Sequence, residues 1–322
     1  MKKKLFCVLV NVLLLLIAYV GLEYYCYLGF IKSYGLTEEQ CSSEEFKFSL
    51  FSYKKDFEKV KSLYLQKIAG KEDVLPFYTF KGKEEKGVIV IGCSMAYGMG
   101  LPIEETIAYR LNKVLGKTVC NVAVPGSGLQ HILYLLSLSE FRDYIPKDCE
   151  YVIYFYNPDH SRRMISLTTP IARENHFVFY KKHKDGLKIK EHVFLNESYL
   201  IQKLNEIMLF NGANSYPKWF VKLWKRHFRI LFTQLKEIYP NSKLVVVKFS
   251  NMGEPEKDYF LPKDIPVLII NIPNETGIDV LSQESELVYT VDKGGHPNSL
   301  YWDIVMPIIV EKIKSLEQKE EK

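Results

Sequence analysis

The stretch GVIVIGCSMAYGMG, residues 87–100, passes from a run of branched apolar residues into a turn that is rich in glycine. A short apolar run that ends in glycine is typical of a strand buried in a parallel sheet. Residues 104–115 follow with a helical pattern, with Ile107 and Leu111 on one face and Gly116 at the end. The segment therefore predicts a strand, a tight turn and a helix.

The same alternation continues towards the C-terminus. Further strands are predicted at residues 118–124, 151–157, 243–249 and 267–271, and further helices at 129–141, 219–239 and 298–316. Strands that alternate with helices predict an α/β fold with a doubly wound, mostly parallel five-stranded sheet. In such a sheet, functional sites form from the loops at the carboxyl ends of the strands.

The N-terminus carries the longest apolar run. Three lysines, residues 2–4, precede the uncharged residues 5–22, and a tyrosine-rich stretch continues to Ile31. About 20 apolar residues span a bilayer, lysines favour the cytoplasmic side and tyrosines the interface. No small-residue cleavage site follows, which favours a transmembrane signal anchor over a cleaved signal peptide. The prediction is a single-pass cell-membrane protein with a cytoplasmic N-terminus and the rest of the chain on the extracytoplasmic side.

These patterns divide the chain into segments of different character. They are an anchor (1–31), a polar stalk and lead-in (32–85) with helix-like stretches at 46–69, an α/β domain (86–316) and a charged tail (317–322). The α/β domain is interrupted by an aromatic and basic insertion at 160–215, which has no clear period.

Charge and cysteine content limit the classes of partner. The 43 basic and 38 acidic residues are mixed along the chain without a basic stripe, so no nucleic-acid partner is predicted. No cysteine or histidine spacing indicates zinc, so no metal site is predicted. Cys120 and Cys149 each lie at a predicted strand, and two interpretations stay open: a disulfide in an oxidising compartment, or two buried unpaired thiols.

Four segments rich in small and polar residues fall at strand ends or directly before the last helix: 92–98, 121–128, 156–160 and 292–298. A serine that leaves a strand exposes its hydroxyl, and its own N–H can help to bind an oxyanion. Glycine lets a backbone N–H approach a ligand, and an amide side chain can donate to developing negative charge. A histidine near a carboxylate suits a general base. Each segment alone also fits an ordinary turn.

In order and content, the four segments resemble the blocks of the SGNH (GDSL-like) hydrolase family. The first block of that family reads Gly-Asp-Ser with a glycine four residues after the serine, as Gly98 follows Ser94. Later blocks contribute a glycine, an asparagine and an Asp-x-x-His that is often followed by Pro-Asn. The resemblance covers residues 86–316 apart from the insertion, and it implies a flavodoxin-like order of strands.

The resemblance also implies roles for individual residues. Ser94 is the implied nucleophile, His296 its base and Asp292 the carboxylate that orients the histidine. Gly126 and Asn157 join the Ser94 amide in an implied oxyanion hole.

The chain departs from the family pattern in three places. Cys93 replaces the aspartate of the first block, and the third block lacks its glycine. Asp292 stands four residues before His296 and not three, so either the loop bulges or another carboxylate serves.

The function implied is that of a serine esterase or O-acyltransferase that acts on acyl esters through an acyl-serine intermediate, with no metal or organic cofactor. A position outside the membrane predicts O-acyl groups of cell-surface polysaccharide as the substrate. His160, Arg162 and Arg163 directly follow the third strand and are predicted to bind an anionic or sugar substrate, with a solvated loop as the alternative. The rival function is a non-catalytic SGNH-like module that binds surface glycan or a protein.

Overall fold

A central sheet organises the part of the chain whose structure is described. A computed structural model gives the fold of residues 2–33, 77–157, 160, 179–183, 186–190, 204, 218–250, 266–280 and 296–320. The strands are β1 (Tyr78–Phe80), β2 (Glu84–Ile91), β3 (Lys117–Asn121), β4 (Cys149–Tyr156), β5 (Phe179–His183), β6 (Gly186–Lys190), β7 (Lys243–Lys248) and β8 (Leu268–Asn271). The helices are α1 (Lys2–Ser33), α2 (Ser94–Tyr97), α3 (Ile107–Leu115), α4 (Leu129–Ser137), α5 (Ser139–Tyr144), α6 (Lys218–Ile238), α7 (Ile272–Thr276) and α8 (Ser299–Glu320).

The central sheet has the order β1-β3-β2-β4-β7-β8. Strand β2 runs parallel to both β3 and β4, and β4, β7 and β8 continue the parallel pairing. The five parallel strands thus lie in the spatial order second, first, third, fourth and fifth, which is the flavodoxin-like order. The predicted α/β fold with a mostly parallel sheet is confirmed. The strand order reverses between β2 and β4, where such sheets place their ligands.

A sixth strand extends the sheet beyond the prediction. Strand β1 pairs with β3 in antiparallel fashion, with Tyr78 opposite Asn121. The sheet therefore begins ahead of the predicted domain boundary at residue 86, because β1 and the start of β2 lie in the segment assigned to the stalk and lead-in. A strand of three residues is too short to show a period in the sequence. The stalk helix predicted at 46–69 lies outside the described residues.

Helices cover both faces of the sheet, so the predicted doubly wound arrangement is also confirmed. The side chains of β4 alternate between the two faces. Val152, Tyr154 and Tyr156 face a core that includes residues of α4 and α6. Tyr151, Ile153 and Phe155 face a second core that includes residues of α3 and α8.

The helix ends follow local chemistry. Helix α3 begins later than the predicted residue 104, because the Thr106 hydroxyl accepts a hydrogen bond from the Tyr109 N–H and caps the helix. A short 3₁₀ turn, Ile103–Glu105, precedes it. The helix predicted at 129–141 divides into α4 and α5 at Leu138, whose backbone is extended and whose side chain is buried.

The predicted insertion contains a hairpin that the sequence did not indicate, in which β5 and β6 pair in antiparallel fashion. At the N-terminus, residues 2–33 form the single helix α1, of which the side chains of residues 10–22 and 24–26 are described. Within the described residues, no helix has the combination of length and hydropathy that crossing a membrane requires.

Cys120 and Cys149 are two buried free thiols and do not form a disulfide. The Thr79 hydroxyl donates to the Cys120 sulfur at 3.3 Å, and the Cys149 thiol donates to the Tyr151 carbonyl at 3.0 Å. Burial raises the pKa of the Cys120 thiol to about 11 and also raises that of Cys149. Both groups are therefore neutral at physiological pH, and of the two interpretations of this pair the structure favours unpaired thiols.

Candidate active site

The first segment forms a tight turn from β2 into α2. A side chain on Gly92 would bring its Cβ to 2.7 Å from the Ala96 Cβ and 3.0 Å from the Phe155 carbonyl oxygen. Only glycine fits this close approach. Ser94 is the first residue of α2, and it is 9% exposed at the carboxyl end of β2. The turn thus presents the Ser94 hydroxyl at the edge of the sheet where a site was predicted.

The fourth segment brings a histidine to this serine. The Nε2 atom of His296 lies 2.8 Å from the Ser94 Oγ, although 202 residues separate them. Asn298 caps the start of the closing helix α8, since its side-chain oxygen accepts a hydrogen bond from the Tyr301 N–H at 3.1 Å. A hydroxyl within hydrogen-bond distance of an imidazole nitrogen is the geometry in which a base can remove the hydroxyl proton.

The second segment lies beside the serine turn. The Ser127 hydroxyl donates to the Gly92 carbonyl at 2.9 Å and so joins the loop after β3 to the turn after β2. Gly126 has a φ of +72°, a backbone conformation that favours glycine. Among the described residues, none accepts a hydrogen bond from the Ser94 or Gly126 backbone N–H. Both donors are thus available to a ligand, as far as the described chain is concerned.

The third segment places an amide next to the nucleophile helix. Asn157 directly follows β4 and is 2% exposed. Its Nδ2 donates to the Met95 sulfur at 3.5 Å, and Met95 is the neighbour of Ser94 in the chain. The structure therefore gathers one residue from each of the four predicted segments around a single edge of the sheet.

The remaining predicted site residues have other outcomes. Asp292, Arg162 and Arg163 lie outside the described residues. His160 is completely buried, with its Nδ1 2.6 Å from the Tyr154 hydroxyl and its ring stacked on the Tyr154 ring at 5.5 Å. A ring enclosed in this way does not fit the predicted contact with substrate. The ring packs against Tyr154 and Tyr156 of β4.

Sequence reasoning missed two residues that support the site. Asn121 ends β3 and is completely buried, and its amide donates to the Ala96 carbonyl of α2 at 2.9 Å. Ser127 makes the bond to Gly92 described above. Asn121 stands at the start of the second segment, so its position at a strand end was the available signal. Nothing in the sequence indicated its partner.

Comparison with known proteins identifies no matching family and no similar curated protein. Similar solved structures include TesA, which is 11% identical with a TM-score of 0.37 over 72% of this chain and 99% of that chain. An acetyl xylan esterase, Est2A, from the rumen bacterium Butyrivibrio proteoclasticus is 10% identical with a TM-score of 0.30 over 51% of this chain and 47% of that chain. A carbohydrate esterase family 2 enzyme with a carbohydrate binding domain from Corynascus thermopiles is 10% identical with a TM-score of 0.28, covering 52% and 47%.

The order of the parallel strands and the meeting of the serine and histidine segments agree with the prediction made from the four sequence segments. In both respects the chain resembles the SGNH (GDSL-like) hydrolases.

Proposed function

We propose that the α/β domain is a serine esterase or O-acyltransferase that works through an acyl-serine intermediate. The observation that supports this proposal most strongly is the 2.8 Å contact between the Ser94 Oγ and the His296 Nε2. A serine hydroxyl is a weak nucleophile until an adjacent base takes its proton. In this chain the base is next to the hydroxyl at the carboxyl edge of the sheet.

In the first step of the proposed reaction, the Ser94 Oγ attacks the carbonyl carbon of the ester while its proton moves to the His296 Nε2. The carbonyl oxygen becomes an oxyanion. The backbone N–H groups of Ser94 and Gly126 and the side-chain amide of Asn157 are the proposed donors to it. Removal of one such donor typically raises the barrier by about 3 kcal/mol. Asp292 is the proposed partner that holds the imidazole and stabilises its positive charge.

In the second step the tetrahedral intermediate collapses, and the alcohol leaves with the proton from His296. Ser94 then carries the acyl group as an ester. An acceptor hydroxyl, from water or from a sugar, gives its proton to His296 and attacks this ester. The products are a free acid or a new ester, and Ser94 regains its proton. The chemistry is the same for both acceptors, so the choice between hydrolysis and transfer depends on which one reaches Ser94.

The rival function, a non-catalytic module that binds glycan or protein, requires no contact between serine and histidine. The Ser94 hydroxyl is nearly buried and contacts the imidazole of a residue 202 positions away in the chain. Catalysis provides a reason for this contact, and binding alone does not. The Cys93 departure does not weaken this inference. Cys93 is buried in the core and is not the predicted nucleophile.

A covalent probe tests the proposal directly. We expect a fluorophosphonate to label the full chain at Ser94 only, because the probe reacts with serines that an adjacent base activates. The same protein should hydrolyse p-nitrophenyl acetate. Peptide mass spectrometry locates the label, and the buried Ser127 provides an internal control that stays unmodified. A protein that is neither labelled nor able to hydrolyse the ester would support the binding module instead.

We further propose that α1 anchors the domain on the extracytoplasmic side, where O-acyl groups of surface polysaccharide are the substrate. In the part of helix α1 whose side chains are described, residues 10–22 and 24–26, large apolar side chains are exposed; Leu13, Leu15 and Ile17 are 57%, 71% and 59% exposed. Such surfaces are stable in a lipid environment.

Cell fractionation tests this anchor. The full chain is expected in the membrane fraction, and protease added to intact spheroplasts should degrade residues that follow α1. Removal of residues 1–31 should move the protein to the soluble fraction. A full chain that stays soluble would contradict the anchor without affecting the proposed chemistry.

A further inference from the structure

The nucleophile helix α2 is a single turn of four residues, which has little stability of its own. The last carbonyl groups of a helix have no partner inside it. The Gly98 N–H meets the carbonyls of Ser94 and Met95 at 3.1 and 3.2 Å. The carbonyls of Ala96 and Tyr97 need donors from elsewhere, and two side chains outside the helix provide them.

Asn121 is the first of these side chains. Its Nδ2 donates to the Ala96 carbonyl at 2.9 Å and to the Tyr78 hydroxyl oxygen at 2.6 Å. Its Oδ1 accepts the Ala123 N–H at 3.0 Å. The completely buried amide therefore uses both of its N–H groups and its oxygen, and its orientation is fixed.

Tyr78 is the second. Its hydroxyl accepts from Asn121 and donates to the Tyr97 carbonyl. The pairing of β1 with β3 places Tyr78 opposite Asn121. The Tyr78 ring also packs edge-on against the rings of Tyr97 and Phe80, with centroids 5.5 and 5.4 Å apart. Burial raises the pKa of Tyr78 above its ordinary value, so the hydroxyl keeps its proton and remains a donor.

We propose that Tyr78 is a positioning residue for the nucleophile: it holds the C-terminal end of α2, and with it the Ser94 hydroxyl, through the Tyr97 carbonyl and the Asn121 amide. The effect on turnover rests on the function proposed above. In this scheme Tyr78 of the edge strand β1 supports the active site from outside, because its phenol completes the hydrogen bonds of α2. Tyr78 itself touches no reacting atom.

The variant Tyr78→Phe removes only the hydroxyl and keeps the ring contacts. We expect kcat for p-nitrophenyl acetate to fall by about 10- to 100-fold with little change in KM, because small displacements of a reacting group cost factors of this size. Tyr239→Phe is the matched control. The Tyr239 hydroxyl also donates to a backbone carbonyl, that of Pro146 at 2.5 Å. Pro146 precedes β4, so this bond lies at the amino ends of the parallel strands, whereas Ser94 lies at their carboxyl ends. Removal of the Tyr239 hydroxyl should lower the melting temperature and leave kcat within twofold of the wild type.

A second measurement separates this inference from the proposed function. In the full chain, the ¹⁵N resonance of the His296 Nε2 reports its hydrogen bond to Ser94, and Ser94→Ala defines the position of the resonance without that bond. We expect Tyr78→Phe to shift the resonance towards the Ser94→Ala value, and Tyr239→Phe to leave it unchanged. An unshifted resonance in Tyr78→Phe overturns the positioning role, whether or not the protein hydrolyses esters. A shifted resonance in a protein that fluorophosphonate does not label supports the positioning role and contradicts the proposed catalysis.

Discussion

The variants Ser94→Ala and His296→Ala are each expected to lower kcat for p-nitrophenyl acetate by about 10⁴- to 10⁶-fold, and the double variant is expected to be no slower than the slower single variant. The reason is that the hydroxyl and the imidazole, 2.8 Å apart, act as one unit. Without Ser94, His296 has no nucleophile to deprotonate. Without His296, the Ser94 hydroxyl has no base to take its proton. What remains is the stabilisation that the backbone donors provide.

Steady-state kinetics on all three variants checks this expectation. The concentration of folded protein in each preparation is determined by native mass spectrometry. Ser137→Ala and His227→Gln are matched controls on α4 and α6, and each should keep kcat within about threefold. Losses that add up in the double variant would mean that Ser94 and His296 serve separate steps. That result would exclude the acyl-serine mechanism, even if both residues proved important.

Asn157→Ala is expected to lower kcat by about 10²- to 10³-fold while KM changes little. The amide of Asn157 lies beside Met95, the neighbour of the nucleophile, where it can donate to an oxyanion that exists only in the transition state. Loss of a donor that contacts the transition state and not the ground state lowers kcat and leaves KM unchanged.

Asn112→Ala is the matched control for this loss of an amide. The Asn112 Nδ2 lies in the last turn of α3 and donates to the backbone carbonyls of Lys81 and Lys117 at 3.0 and 2.9 Å, and to that of Phe80 at 3.3 Å. We expect it to change thermal stability and not kcat. If Asn157→Ala instead raised KM at constant kcat, Asn157 would be a contact for bound substrate and would have no place in the oxyanion hole.

Most of the parallel sheet could be predicted from the sequence, because strands buried on both faces form uninterrupted apolar runs. The strand predicted at 243–249 is Lys243–Lys248 in the structure, and that predicted at 267–271 is Leu268–Asn271. Boundaries were least accurate where short-range chemistry overrides periodicity. The Thr106 cap delays the start of α3, and the extended backbone at Leu138 divides a single predicted helix in two.

The active site could be predicted only in part. Parallel strands bring their carboxyl ends to one edge, and the resemblance of the four segments to the SGNH blocks implied that Ser94 and His296 meet there. The contact of Tyr78 with the end of α2 was not predictable, since it depends on a three-residue antiparallel strand and on a side chain far from any motif. His160 shows the opposite failure. Its position next to the third segment suggested a substrate contact, and the ring is instead packed against Tyr154.

The attachment of β1 to the edge of the sheet has a practical consequence for how the limits of the α/β domain are drawn. All four segments that resemble the SGNH blocks lie after residue 86, so a shortened chain that started there would keep every one of them. It would nevertheless lack the phenol that reaches the end of α2. The smallest version that can report on catalysis therefore begins before residue 77, in a region that no family signature marks.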